Sequence, residues 1–113
     1  MSMKILTEDE IKSALAELPQ WSVQNINGVH MLSKKFSFSG FTSATAFASS
    51  KIRPIANKMD HHPDLHITNY RNVRVETVTH DVGNKITTND IELAKKIQTA
   101  YDNLPKAQKK FNV

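Results

Sequence analysis

Histidine is unevenly placed in this chain. Four of the five lie between positions 61 and 80, as His61, His62, His66 and His80, with Asp60, Asp64 and Asp81 beside them. Imidazole ordinarily titrates at about pH 6.5, so one such group can give or take a proton at neutral pH. Two or three of them in one pocket suit a reaction that protonates a leaving hydroxyl and removes a proton elsewhere. His30 stands apart and reads as structural or solvated, and His66 reads as an exposed strand or loop residue. His61 and His62 are followed at once by Pro63. Histidine is favoured near a helix C-terminus and proline is common just beyond one, so capping competes with catalysis as the reason for this pair.

Other chemistries fit less well. Adjacent histidines point apart in a helix or a strand, whereas the helical metal motif spaces its two ligands by four residues. One of the pair with His80 and a carboxylate could still form a metal site, but the spacing is not specific. Ser49 and Ser50 are not set in a nucleophile elbow. The absence of cysteine from the sequence excludes disulfides, thiolate metal sites and a cysteine nucleophile.

The elements that would position the histidines can be read along the chain. Thr7 and Glu10 form a capping box, Leu6 and Ile11 a hydrophobic staple, and Ile11, Leu15 and Leu18 a helical stripe ending at Pro19. Trp21 and Val23 begin a strand, Asn27-Gly28 is a hairpin turn, and Val29 to Phe38 is the partner strand. A second helix is capped by Ser39 and carries Phe41, Ala44, Ala48, Ile52, Ile55 and Met59 on one stripe, with a kink at Pro54. The histidine-rich turn leads to an extended segment through Tyr70. Val73, Val75, Thr77 and Thr79 then alternate with Arg74, Glu76, Val78 and His80. After a loop with Gly83 and Asn84, Thr87 and Asp90 cap a last helix bearing Ile91, Ala94, Ile97, Tyr101 and Leu104, which Pro105 stops. The order helix-strand-strand-helix-strand-strand-helix predicts an α+β fold, a four-stranded antiparallel sheet with three helices packed on one face.

At 113 residues, 39% of them apolar, a single domain with its own core is expected across the whole chain. The net charge of +4 raises nucleic-acid binding. The excess lies mostly in Lys34, Lys35, Lys106, Lys109 and Lys110, with no basic run interleaved with aromatics, so a solvated basic tail is the preferred reading. No apolar stretch approaches a membrane span, and MSMKILTEDE lacks the apolar core of a signal peptide. A soluble cytoplasmic protein, open to the nucleus as well, is the simplest expectation.

The stretch DHHPDLHITNYRNVRVETVTHDVGNKITTND resembles the pterin-4a-carbinolamine dehydratase family. That family has a His-His-Pro, then an aromatic, a Thr-His, and an Asp opening the final helix. These correspond to His61-His62-Pro63, Tyr70, Thr79-His80 and Asp90. Trp21, Phe36, Phe38, Phe41, Ala44 and Phe47 extend the resemblance, so that it runs from Leu6 to about Ile97. It implies dehydration of 4a-hydroxytetrahydrobiopterin to the quinonoid dihydropterin, with His61, His62 and His80 as catalytic residues and neither metal nor redox cofactor. It also implies pterin contacts from Asp60 to His62 and from Val78 through Thr79 and His80 to Asp81, with Asn57 and Asp90 in the same pocket. Homodimers or homotetramers are implied, as is a transcription-factor partner for some relatives, through the second helix near Phe47, Ser50 and Lys51. The chain departs from the family at three places. Asn57 replaces an acidic residue, which should weaken a contact to the pterin edge. Leu65 replaces an aromatic. The loop after His80 is one residue longer, with Asn84-Lys85 where a glycine–apolar pair is common.

Overall fold

A computed structural model describes residues 3–109. Helix α1 (Glu8–Leu15) starts on the expected capping box. The Thr7 hydroxyl accepts from the Glu10 amide at 3.1 Å, and the Glu10 carboxylate accepts from the Thr7 amide at 3.0 Å. The Lys4 ammonium and the Thr7 amide together hold the Glu10 carboxyl down to about 2.

The sheet has strands β1 (Ser22–Ile26), β2 (Val29–Ser37), β3 (Asp64–Thr68) and β4 (Asn72–Thr77), in the order β1-β2-β4-β3, all antiparallel. Asn27 and Gly28, at φ 52° and 86°, supply the left-handed pair that a two-residue hairpin requires. Register places Leu32 opposite Thr77, Lys34 opposite Val75 and Phe36 opposite Val73. Leu32, Phe36, Val73 and Val75 belong to the core beneath the helices. Lys34 shares that face: its ammonium reaches Gln20 and lies 4.8 Å over the Phe36 ring, and burial lowers its pKa. On the opposite face Glu76 is only 2% exposed, bonded by His66 Nε2 and Arg74 Nε at 2.9 Å each.

The second helix bends its rules without breaking. It runs as α2 (Phe41–Phe47), a π turn (Ala48–Ile52) and α3 (Arg53–Met59). The Arg53 amide bonds the Ala48 carbonyl, five residues back. Pro54 thereby falls in the first turn of α3, where a missing amide hydrogen costs least. The expected kink is therefore a π turn just upstream of the proline. Ser39 is not the cap. Gly40 holds that position with no side-chain bond, while the Ser39 hydroxyl lies 3.2 Å from that of Ser43.

Helix α4 (Thr88–Asp102) packs Ile91, Leu93, Ala94 and Ile97 into the core. Pro105 does end it, but a further short helix α5 (Lys106–Lys109) follows, so the three expected helices gain one more. It folds back: the Gln108 carbonyl accepts from the Ser39 amide at 2.8 Å, and Lys109 lies 5.6 Å over the Tyr101 ring. The basic segment up to Lys109 is thus helical and tied back to the fold, yet none of its residues is buried and Lys106 is exposed, as a solvated basic segment requires; Lys110 lies outside the described residues. Among the described residues no helix is long and apolar enough to cross a membrane.

Candidate active site

Asp60 ends α3 in the left-handed conformation, at φ 52° and ψ 44°. The Asp60 amide bonds the Asn57 carbonyl and the His61 amide bonds the Ala56 carbonyl, the paired closure of a Schellman motif. Aspartate tolerates this backbone better than most residues with a side chain. The turn throws His61, His62 and Pro63 off the helix axis and into β3, whose edge position is set by pairing to β4.

The deciding feature is Asp90, the third residue of α4 and wholly buried. Its Oδ1 accepts from His61 Nε2 at 2.7 Å and from the Thr77 hydroxyl at 2.6 Å. Its Oδ2 accepts from the Thr79 hydroxyl and the Thr87 amide, both at 2.8 Å. A carboxylate can only accept, so His61 must carry its proton on Nε2, leaving Nδ1 as its free nitrogen. The helix N-terminus favours the negative charge. One side chain thus caps α4, joins β4 to it, and fixes the tautomer of a histidine from the far end of α3.

The other two histidines of the expected triad are held by neutral amides. His62 Nε2 lies 3.0 Å from Asn57 Oδ1, so Asn57 is engaged by a histidine. Both line a hollow of about 320 Å³ with Pro63 and Leu65, beside the π turn. His80 opens a single 3₁₀ turn (His80–Val82), and its Nδ1 lies 2.7 Å from Asn84 Oδ1. Thr79, immediately before it, is drawn into the Asp90 cluster. Val78 is buried, whereas Asp60 and Asp81 are exposed.

The structure therefore joins His61, Thr79 and Asp90 directly and sets His80 next to them along the chain. His62 and Asn57 form a separate pair. Thr77, Thr87 and Asn84 were not singled out as site residues from sequence. Thr77 could have been, because strand alternation already put it on the face with Thr79. Tyr70 is not part of the site: it lies in the turn at the far end of β3, 56% exposed and left-handed at φ 52°. Among the described residues no group of three or more His, Cys, Asp or Glu is arranged to hold a metal ion.

This arrangement can be compared with known proteins. The model of the family described as pterin 4 alpha carbinolamine dehydratase matches residues 4–100. The chain belongs to that family. A Sulfolobus acidocaldarius protein provisionally named pterin-4-alpha-carbinolamine dehydratase is 46% identical over 92 residues, covering 81% of this chain and 93% of the relative. The crystal structure of a Brucella melitensis transcriptional coactivator/pterin dehydratase superposes with a TM-score of 0.72 at 34% identity, covering 84% of this chain and 96% of that one. A pterin dehydratase-like protein described as a RuBisCO assembly factor in the alpha-carboxysome shares the fold alone, with a TM-score of 0.55 at 17% identity over 71% of this chain and 87% of that one.

Proposed function

We propose that the chain dehydrates 4a-hydroxytetrahydrobiopterin to the quinonoid dihydropterin, the water-releasing step of tetrahydrobiopterin recycling. The observation that carries this reading is the buried Asp90 carboxylate bonded to both His61 and Thr79, directly before His80. The bond to Asp90 occupies Nε2, so a protonated His61 gives its proton from Nδ1 to the departing 4a-hydroxyl, which leaves as water. As the C4a–O bond breaks, a ring nitrogen loses its proton to His80 and a C=N bond forms. His62 orients the ring or its proton, itself held by Asn57.

The pterin would lie between the Asp60–His62 turn and the Val78–Asp81 segment. Since the Val78 side chain is buried, contact there falls to its backbone. Asn57 would act through His62, which changes its expected role from gripping the pterin edge. No step in this scheme calls for a metal or redox cofactor.

Stopped-flow dehydration of 4a-hydroxytetrahydropterin tests the reading. His61→Ala and His80→Ala should each lower turnover by about 10² to 10⁴-fold, the usual contribution of a general acid or base. Wild-type turnover in both would overturn it. The Brucella melitensis name favours a second reading, a coactivator-type binding module. Phe47 is buried in the core, so a partner surface on the second helix would have to use Ser50 and Lys51, both exposed. A pure binding module would not accelerate dehydration at all.

A further inference from the structure

We infer that Asn84 is a positioning residue for His80: its side-chain oxygen holds the Nδ1 proton and so presents Nε2 to the substrate. The inference rests on the dehydratase reading and specifies which nitrogen of His80 reacts.

The loop is built to bring these two residues together. Thr79 and Lys85 bridge through two backbone hydrogen bonds, of 2.9 and 3.3 Å, and the Gly83 amide closes the 3₁₀ turn on the His80 carbonyl at 3.1 Å. Gly83 and Asn84 are consecutive left-handed residues, at φ 78° and 61°. Glycine enters that region freely, and asparagine is among the few side-chain-bearing residues that do so at small cost. The backbone requirement and the hydrogen bond meet in one residue: Asn84 accepts the left-handed position and places Oδ1 2.7 Å from His80 Nδ1. An amide oxygen accepts a proton-bearing nitrogen but carries no net charge. It therefore fixes the tautomer without stabilising imidazolium as a carboxylate would. His61, backed by Asp90, and His80, backed by Asn84, are set up for opposite halves of the proton traffic.

A merely structural role, satisfying the left-handed backbone, is separable by substitution. Asn84→Gly keeps the backbone and deletes the acceptor. Asn84→Asp keeps backbone and acceptor and adds a charge. The charged neighbours on the loop, Asp81 and Lys85, and Asp90 behind Thr79, are the same in both variants. In Asn84→Gly, kcat should fall about tenfold with KM little changed, as expected for one lost orienting hydrogen bond. The imidazole ¹⁵N signals of His80, recorded without substrate, should change from a single Nδ1–H tautomer to a mixture. In Asn84→Asp, the pH–rate limb carried by His80 should move to higher pH, because a nearby negative charge favours imidazolium. Circular dichroism and the thermal midpoint of each variant establish that it is folded.

Unchanged kcat and an unchanged ¹⁵N signature in folded Asn84→Gly would overturn the inference. So would loss of the single tautomer with no change in kcat, or an unmoved pH limb in Asn84→Asp. The parallel His80→Ala variant keeps the two claims apart. If it turns over at the wild-type rate, the role of His80 fails. If it is slow while Asn84→Gly is normal, only the role of Asn84 fails.

Discussion

Asp90 is where stability and chemistry meet at the scale of one residue. Its carboxylate is fully buried and surrounded by donors, so removing it takes the acceptor from His61, Thr77 and the Thr87 amide at once and leaves Thr79 with only the Thr87 hydroxyl. Asp90→Ala should lower the unfolding free energy by about 3 kcal/mol or more, read from urea denaturation. Asp90→Asn should lose less stability, yet turnover should still drop, because the charge behind His61 is gone. Type and spacing pick out the histidine cluster but leave capping and catalysis both open for His61 and His62; the family resemblance is what names His61, His62, His80, Thr79 and Asp90 as site residues. What sequence could not show is which partner each histidine takes. Asn57 stands where the resemblance implies a weakened pterin contact, and its side chain accepts from His62; Asn84 belongs to the longer loop, and its side chain reaches His80. Such pairings depend on how two helix ends and a turn approach in space, which spacing along the chain does not encode.

At the scale of elements, the strands and the starts of the first and last long helices were the most legible because their signals are local. Alternation from Val73, the Asn27-Gly28 turn and the two capping boxes all reappear in the structure. The second helix was harder, since Pro54 announces a disturbance without saying how it is absorbed. α5 was missed because four residues carry too little periodicity to declare a helix. Lys34 sits on the core face of β2 against the pattern. Burial holds its ammonium below the usual lysine range, opposed by the charge of Asp102. The folded state therefore disfavours the charged form, so this lysine costs stability at neutral pH. That cost is relieved as pH rises through its folded pKa toward the unfolded value of 10.5. Lys34→Met should raise the urea midpoint at pH 7 and flatten the gain in stability on moving to alkaline pH. Tyr101, whose phenol burial pushes up, acts in the opposite direction above pH 10, because only the unfolded chain then ionises. The measurement therefore belongs below that pH.

Across the whole molecule, the β1-β2-β4-β3 order puts both histidine segments at one end of the sheet and Tyr70 at the other. The five residues of β3 separate them by roughly 16 Å at strand spacing. Tyr70→Asn should accordingly leave dehydration turnover within about twofold of wild type, although Tyr70 helped to mark the resemblance. The same order leaves β3 as an edge, with Leu65 and Ile67 about two-fifths exposed at 38% and 42%. An open edge of this kind invites a second copy. The expected homodimer or tetramer should appear in sedimentation velocity, and Ile67→Lys should shift the distribution toward monomer. The shared carboxylate has one more consequence, in the order of folding events. Its partners come from the end of α3, from β4 and from the start of α4, so no single hairpin or helix can assemble it. During refolding, the proposed dehydration activity should therefore return with the last cooperative step and never before secondary structure, so that its recovery would be a clock for complete folding.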